Sequence, residues 1–281
     1  MKRVFSLILT LALIASLATC CAAEGLTKIV IGATPSPHAE VLEFIKDDMA
    51  ALGYELEIKI FTEYPLPNPA VADGQLNANY FQHQPYLRQY NESVGEEDQL
   101  VAAIGIHYEP FAMYSNKISD VSEIEEGAVI AVTNDPANEA RALFLLQSAG
   151  LITLYEGATA EDPLTILDIS ENPYYLQIVE MDADKLSATL DDPAITCAII
   201  NGNFALDAGL SPAEDAIYIE PADGDVAAIF ANYVVVNPED VEADWLKALE
   251  QCLCSEKVYD YMLENENYAG GVIPFFSVDA E

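Results

Sequence analysis

The run Asn77–Leu87, NANYFQHQPYL, places Tyr80, Phe81, His83 and Tyr86 in one short segment of a chain that holds only three histidines. Two polar runs answer it further along: Asn134–Arg141 (NDPANEAR) and Asn201–Asn203 (NGN). This combination suits a small zwitterion with an apolar tail. Aromatic rings cover the tail, a guanidinium takes the carboxylate through paired N–H donors, and amide oxygens accept from the ammonium. An ordinary amphipathic core accounts for the rings but not for the polar groups interleaved with them.

Arginine is scarce, with Arg3, Arg88 and Arg141 the only three. Arg3 lies in the leader described below, and Arg88, in YLRQYNES, reads as a helix-surface residue. Arg141 is therefore the candidate carboxylate ligand, against the plainer reading of a helix-surface arginine paired with Glu139 or another acid. Asn134-Asp135-Pro136 breaks the preceding strand, and Asn138 is expected to cap the helix that follows. That would put Arg141 in its first turn, beside unpaired backbone N–H groups and the positive helix end. Asn201 and Asn203 follow the apolar run Ala198–Ile200 and so emerge at a strand's C-terminal end, where open α/β sheets bind ligands. N-G is also a turn signal in its own right.

The elements that must position these groups alternate in type. Lys28–Ala33 reads as a buried strand, Ala39–Leu52 as a helix, and Glu55–Phe61 as a second strand, a β-α-β start that implies parallel pairing. Ala78–Phe81, Leu100–Ile106, Val129–Val132, Ala198–Ile200 and Ala227–Val236 read as further strands. Pro67–Gly74, Gln84–Val94, Asn138–Ala149, Gly202–Leu210 and Val241–Glu264 read as helices. The fold class is α/β.

Of 281 residues, 47 are acidic and 11 basic, a net charge of −36. Such a field repels nucleic acid and anionic headgroups. Met1–Thr19 reads as a secretory signal: Lys2 and Arg3 precede an apolar run, Val4–Leu17, too short to span a bilayer. It ends in Leu17-Ala18-Thr19-Cys20, which resembles the lipobox of bacterial lipoproteins, with Cys20 the lipidated residue and Cys21 an alternative; residues 20–27 would form a tether. Cys197 reads as a buried strand residue. Cys252 and Cys254 cannot both face the core, and they lack the second pair or nearby histidine of a zinc site.

KIVIGATPSPHAEVLE, DGQLNANYFQHQPYL, EPFAMYS, VTNDPANEARALFLLQSAGLI and INGNFALDAGL together resemble the methionine-binding lipoproteins of bacterial ABC importers, the NlpA- and MetQ-type solute-binding proteins. The likeness runs from Lys28 to roughly Phe275. It implies a two-lobed periplasmic-binding-protein fold of type II topology, with residues 28–112 plus 230–281 in one lobe and 113–229 in the other. It further implies a ligand cleft between the lobes holding L-methionine or a close derivative, without a cofactor or metal. Tyr64, Tyr80, Phe81 and His83 would cage the thioether, and Asn138, Arg141, Asn201 and Asn203 would hold the polar end. The partners would be a membrane permease with its ATPase, at the extracytoplasmic face, through the anchor on Cys20. Where the family commonly has an aspartate before the tyrosine, this chain has Glu63-Tyr64 and then Pro65-Leu66-Pro67-Asn68.

Two other classes compete. Catalysis would need a nucleophile and base, but no G-x-S-x-G or comparable signature occurs, and His38, His83 and His107 sit in unlike contexts. A metal receptor would converge His38, His83, His107 and Glu109, yet such a site has no use for Arg141. Another apolar amino acid or a methionyl dipeptide stays open as cargo.

Overall fold

The structure is a computed structural model that describes residues 25–159, 162–221 and 224–278. The expected signal at 1–19, the lipidation candidates Cys20 and Cys21, and most of the tether lie outside the described residues.

The chain opens with β1 (Thr27–Ala33), β2 (Tyr54–Ile60), β3 (Ala78–His83) and β4 (Val101–Tyr108). Apolar side chains at every second position of β1 bury Ile29, Ile31 and Ala33, as a period-two strand against a core requires. β1 pairs in parallel with both β2 and β3. The chain then builds β5 (Ala112–Tyr114), β6 (Val129–Thr133), the small ribbon β7 (Thr153–Leu154) and β8 (Ile169–Glu171), β9 (Gln177–Met181), β10 (Cys197–Ile200) and β11 (Ala216–Ile219). It finally returns to the first sheet as β12 (Ala231–Val236) and β13 (Ile273–Pro274).

The first sheet has the order 13-4-12-3-1-2 and the second 11-5-10-6-9. β12 lies antiparallel between β3 and β4, and β5 lies antiparallel to β10. The chain passes between the sheets twice, between Tyr108 and Ala112 and again between Ile219 and Ala231. Two sheets joined by two crossings make a two-lobed α/β fold of the type II periplasmic-binding-protein class. Each lobe has its own core. Leu42, Ile45, Met49, Leu249 and Leu253 cover the first sheet, and Leu143 and Leu146 pack on Ile130 and Val132 of the second. Each such side chain contributes roughly 1.5–3 kcal/mol relative to exposure.

Three expected elements come out differently. The helix expected at 39–52 is two pieces, Glu40–Phe44 and Lys46–Ala51, interrupted at Ile45. The strand expected at 227–236 begins only at Ala231, where pairing with Tyr108 starts; Gly224–Phe230 is helical. The helix expected at 241–264 is split into Asp244–Leu253 and Glu256–Glu264, because Ser255 caps the second by accepting from the Val258 N–H. Cys197 is buried in β10 as expected, Cys252 is buried and Cys254 half-buried, and all three are free thiols.

Candidate functional site

β3 ends the first lobe's contribution to a cavity between the lobes. Phe81 and His83 share one face of the strand and line it, with Gln82 at its edge. Asn68, at the start of the helix Pro67–Ala72, holds that edge: its Nδ2 donates to Gln82 Oε1 at 2.9 Å, and its Oδ1 accepts from Asn79 Nδ2 at 2.9 Å. His83 also caps the helix Gln84–Ser93, its Nδ1 accepting from the Tyr86 N–H at 3.3 Å. Tyr64 reaches in from the loop after β2. Its ring lies 5.6 Å from Phe81, 5.6 Å from Tyr86 and 4.9 Å from Phe204 of the second lobe. These rings form an aromatic wall drawn from both lobes.

The second lobe supplies Asn138, Arg141, Asn201, Gly202 and Asn203. The helix Pro136–Ser148 is capped by Asp135, not Asn138: Asp135 Oδ1 accepts from the backbone N–H and the Nδ2 of Asn138, both at 2.9 Å. Asn138 therefore stands inside the first turn and Arg141 in the second, so Arg141 is not beside the free N–H groups of the helix start. With its Nδ2 committed to the cap, Asn138 presents Oδ1 to the cavity, where it accepts from His83 Nε2 at 3.0 Å and Asn201 Nδ2 at 2.9 Å. His83 thus donates through Nε2 and accepts through Nδ1, which is the neutral imidazole. Burial, and second the charge of Arg141, push its pKa down to about 3.

Arg141 is 4% exposed and its guanidinium is fully organised. Nε bonds Glu220 Oε1 at 2.9 Å, while Nη2 bonds Glu220 Oε2 at 2.6 Å and the Glu109 carbonyl at 2.9 Å. Its carbon lies 4.2 Å from the Phe230 ring centroid and 4.8 Å from that of Phe111. A planar guanidinium stacked on rings keeps one orientation, which a lysine would not.

Two polar atoms among the cavity residues have no partner: the acceptor Asn201 Oδ1 and the donor Asn203 Nδ2. Asn203 Oδ1 is taken by the Tyr64 hydroxyl across the interlobe gap. An unsatisfied buried polar group costs about 1–3 kcal/mol. A cavity that keeps one free acceptor and one free donor beside a guanidinium is arranged for a molecule carrying both kinds of group. The walls bound about 340 Å³ of atom-free space, open solvent at the mouth included. Direct contacts span it, from Tyr64 to Asn203 and Phe204 and from His83 to Asn138.

A family model described as NlpA lipoprotein matches residues 29–276. The chain belongs to the NlpA lipoprotein family. Among its relatives is the D-methionine-binding lipoprotein MetQ of Escherichia coli K12, 37% identical over 245 residues that make up 87% of this chain and 86% of the relative. A nutrient binding protein from Burkholderia cenocepacia, solved bound to methionine, has 36% identity and a TM-score of 0.82, over 88% of this chain and all of that one. An ABC transporter periplasmic substrate-binding protein from Coxiella burnetii has 37% identity and a TM-score of 0.79, over 88% and 99%.

In this NlpA-family chain, Tyr64, Phe81, His83, Asn138, Arg141, Asn201 and Asn203 all line one cavity. Tyr80 does not. It is wholly buried on the opposite face of β3, its hydroxyl 2.5 Å from His107 Nδ1 and its ring 4.6 Å from that of His38. The expected thioether cage therefore loses Tyr80, because neighbouring residues of a strand cannot face the same side.

Sequence reasoning did not assign Gln82, Glu109, Gly202 or Asn232 to this site, and all four line it. Of the proposed metal set, His38, His107 and Glu109 do come together, while His83 stands apart. Each of the three is already engaged. Glu109 Oε1 lies 2.8 Å from His107 Nε2 and 3.4 Å from His38 Nε2, and Thr34 Oγ1 sits 2.7 Å from His38 Nδ1. Burial pushes His38 down to about 4 and His107 to about 3, so both are neutral, and burial raises Glu109.

Proposed function

We propose that this protein is an extracytoplasmic substrate-binding lipoprotein of an ABC importer that binds methionine or a close derivative between its lobes. The observation that carries the reading is the convergence of Arg141 from the second lobe with Phe81 and His83 from the first, around an unpartnered acceptor and donor. Arg141 and Asn203 Nδ2 would take the carboxylate, Asn201 Oδ1 the ammonium, and Tyr64, Phe81 and Tyr86 the thioether chain, where sulfur–ring contacts contribute ~0.3–1.5 kcal/mol each. The names of relatives and the methionine-bound neighbour support the ligand class.

On this reading residues 28–112 plus 230–281 form one lobe and 113–229 the other. A ligand touching both stabilises the shut arrangement over an open one. The shut form would dock on a membrane permease whose ATPase drives import, and the protein itself performs no chemistry. Cys20 would carry the lipid that holds it at the membrane; among the described residues no helix is long and apolar enough to cross one. Calorimetric titration of ligand-stripped protein, with a thermal-shift panel of amino acids and dipeptides, tests the proposal. Methionine should bind and raise the melting temperature with concentration. A flat isotherm with methionine, or a larger shift with an acidic or basic amino acid, would reject it.

A further inference from the structure

The charges around the cavity do not balance, and the imbalance points to one residue. Glu109 is 5% exposed and lines the cavity from the first crossing between the sheets. The other buried carboxylates nearby are committed: Glu220 to Arg141, and Asp135 to the helix cap and the Thr133 hydroxyl at 2.8 Å. Arg141, with both Glu220 oxygens on its Nε and Nη2, meets Glu109 only at the backbone carbonyl. His107 Nε2 donates to Glu109 Oε1 at 2.8 Å, while His38 Nε2 lies 3.4 Å from that oxygen and donates to Asn232 Oδ1 at 3.2 Å; neither imidazole carries charge while it is neutral. Glu109 is thus a buried carboxyl with polar partners and no formal counter-ion; burial raises its pKa, and a cation beside it would favour the charged form.

The surroundings favour a small cation on the cavity side. Glu109 rests directly against Gly202, where an added Cβ would lie 2.6 Å from Oε2, so only glycine lets the carboxylate lie against the turn that carries Asn201 and Asn203. Asn201 Oδ1, the unpartnered acceptor, stands in that turn and lines the same cavity. Asn232 Oδ1, 3.2 Å from His38 Nε2, adds a third oxygen to this side. Acceptors therefore gather around Glu109, while the guanidinium of Arg141 marks the opposite polarity.

We infer that Glu109 supplies the counter-charge for the ligand's α-ammonium and so selects ligands that carry a free amino group. This rests on the proposed amino-acid reading and names a recognition element within it. His107 holds the carboxylate in place as a neutral donor. Aspartate at the same position would draw the charge back from the cavity by one methylene.

The test is a calorimetric titration of ligand-stripped protein with methionine and with 4-(methylsulfanyl)butanoate, which keeps the tail and carboxylate and lacks the amine. Wild type should bind methionine at least about a hundredfold more tightly than the amine-free acid. Glu109→Gln should weaken methionine roughly tenfold or more and leave the amine-free acid unchanged. Equal weakening of both acids, or of neither, overturns the inference while leaving the methionine reading in place. Equal affinity of wild type for the two acids overturns it as well, and that comparison needs no variant to fold. Wild type that binds neither acid overturns the proposed function, and this inference with it.

Discussion

Arg141 and Glu220 lie 79 positions apart in sequence and meet as a buried bidentate pair at the edge of the interlobe cavity. Glu220 Oε2 also accepts from the Tyr108 hydroxyl at 2.6 Å, and the Glu220 backbone N–H donates to the Phe111 carbonyl at 2.8 Å. One carboxylate therefore ties the guanidinium to both chain crossings. Removing either partner leaves a charge buried and alone, which is costlier than never having the pair.

Arg141→Ala should weaken methionine binding by about 2–5 kcal/mol, roughly 30-fold to several thousandfold, and lower the melting temperature because Glu220 is left unpaired. Arg141→Met combined with Glu220→Leu should recover much of the stability and none of the binding. Arg88→Ala, on the helix Gln84–Ser93 and outside the cavity lining, should leave the isotherm as in wild type. Calorimetry together with differential scanning measures both quantities. Wild-type affinity in Arg141→Ala would remove the guanidinium from the site.

Tyr80 and Phe81 are adjacent and should behave oppositely. Tyr80→Phe deletes a hydroxyl that bonds His107 and nothing in the cavity, so methionine affinity should hold within about twofold. Stability should fall by roughly 1–3 kcal/mol from the unpaired imidazole nitrogen. Phe81→Leu keeps an apolar side chain but removes the ring, and should cost up to about tenfold in affinity. A Tyr80→Phe protein with intact stability and poor binding would reverse the assignment of the two strand faces.

That contrast shows what the sequence made legible. The strands β1 and β6 announce themselves by apolar runs of the right length, β2 by alternation of polar and apolar residues, and the helix Pro136–Ser148 by Asp-Pro ahead of a periodic stretch. Residue types picked out Phe81, His83, Arg141 and the two asparagines. Residue type and the family resemblance group Tyr80 with Phe81, although period-two geometry alone separates them. The cap went to Asn138 instead of Asp135, though Pro at the first helical position marks the residue before it. Glu220 carries no local signal among 47 acids, and Glu109 stands out only within EPFAMYS and the competing metal set: their places at the cavity come from long-range contacts that only the folded lobes create.

His38, His83 and His107 should all remain neutral in the folded protein. Burial is the first cause at each, and their pKa values fall from 6.5 to about 4, about 3 and about 3. In the unfolded chain they titrate near 6.5, so between about pH 6.5 and 4 the unfolded state binds more protons than the native one. Their contribution to stability is therefore present above pH 6.5 and lost as pH falls through that window. Proton NMR of the imidazole C–H signals should show no titration between pH 5 and 8 in native protein and three ordinary titrations in urea. A native signal with a midpoint above about 6 would place that ring in water.

Glu139 carries the opposite sign. It sits on the helix Pro136–Ser148, 4% exposed, with Oε1 accepting from the Ile166 N–H at 3.1 Å. Burial first, then a hydrogen bond and charge repulsion from Glu180, raise its pKa from 4.5 to about 8. The native state therefore holds a proton that the unfolded chain has released. Its contribution to stability is present below about pH 4.5 and lost as pH rises toward 8. Glu139→Gln replaces the protonated carboxyl with a neutral amide of the same shape, so it should change little at pH 5 and stabilise the protein at pH 8.5. Urea midpoints for wild type and variant should diverge as pH rises. Parallel curves across that range would mean that Glu139 is ionised throughout and that the Glu139–Glu180 contact holds no proton.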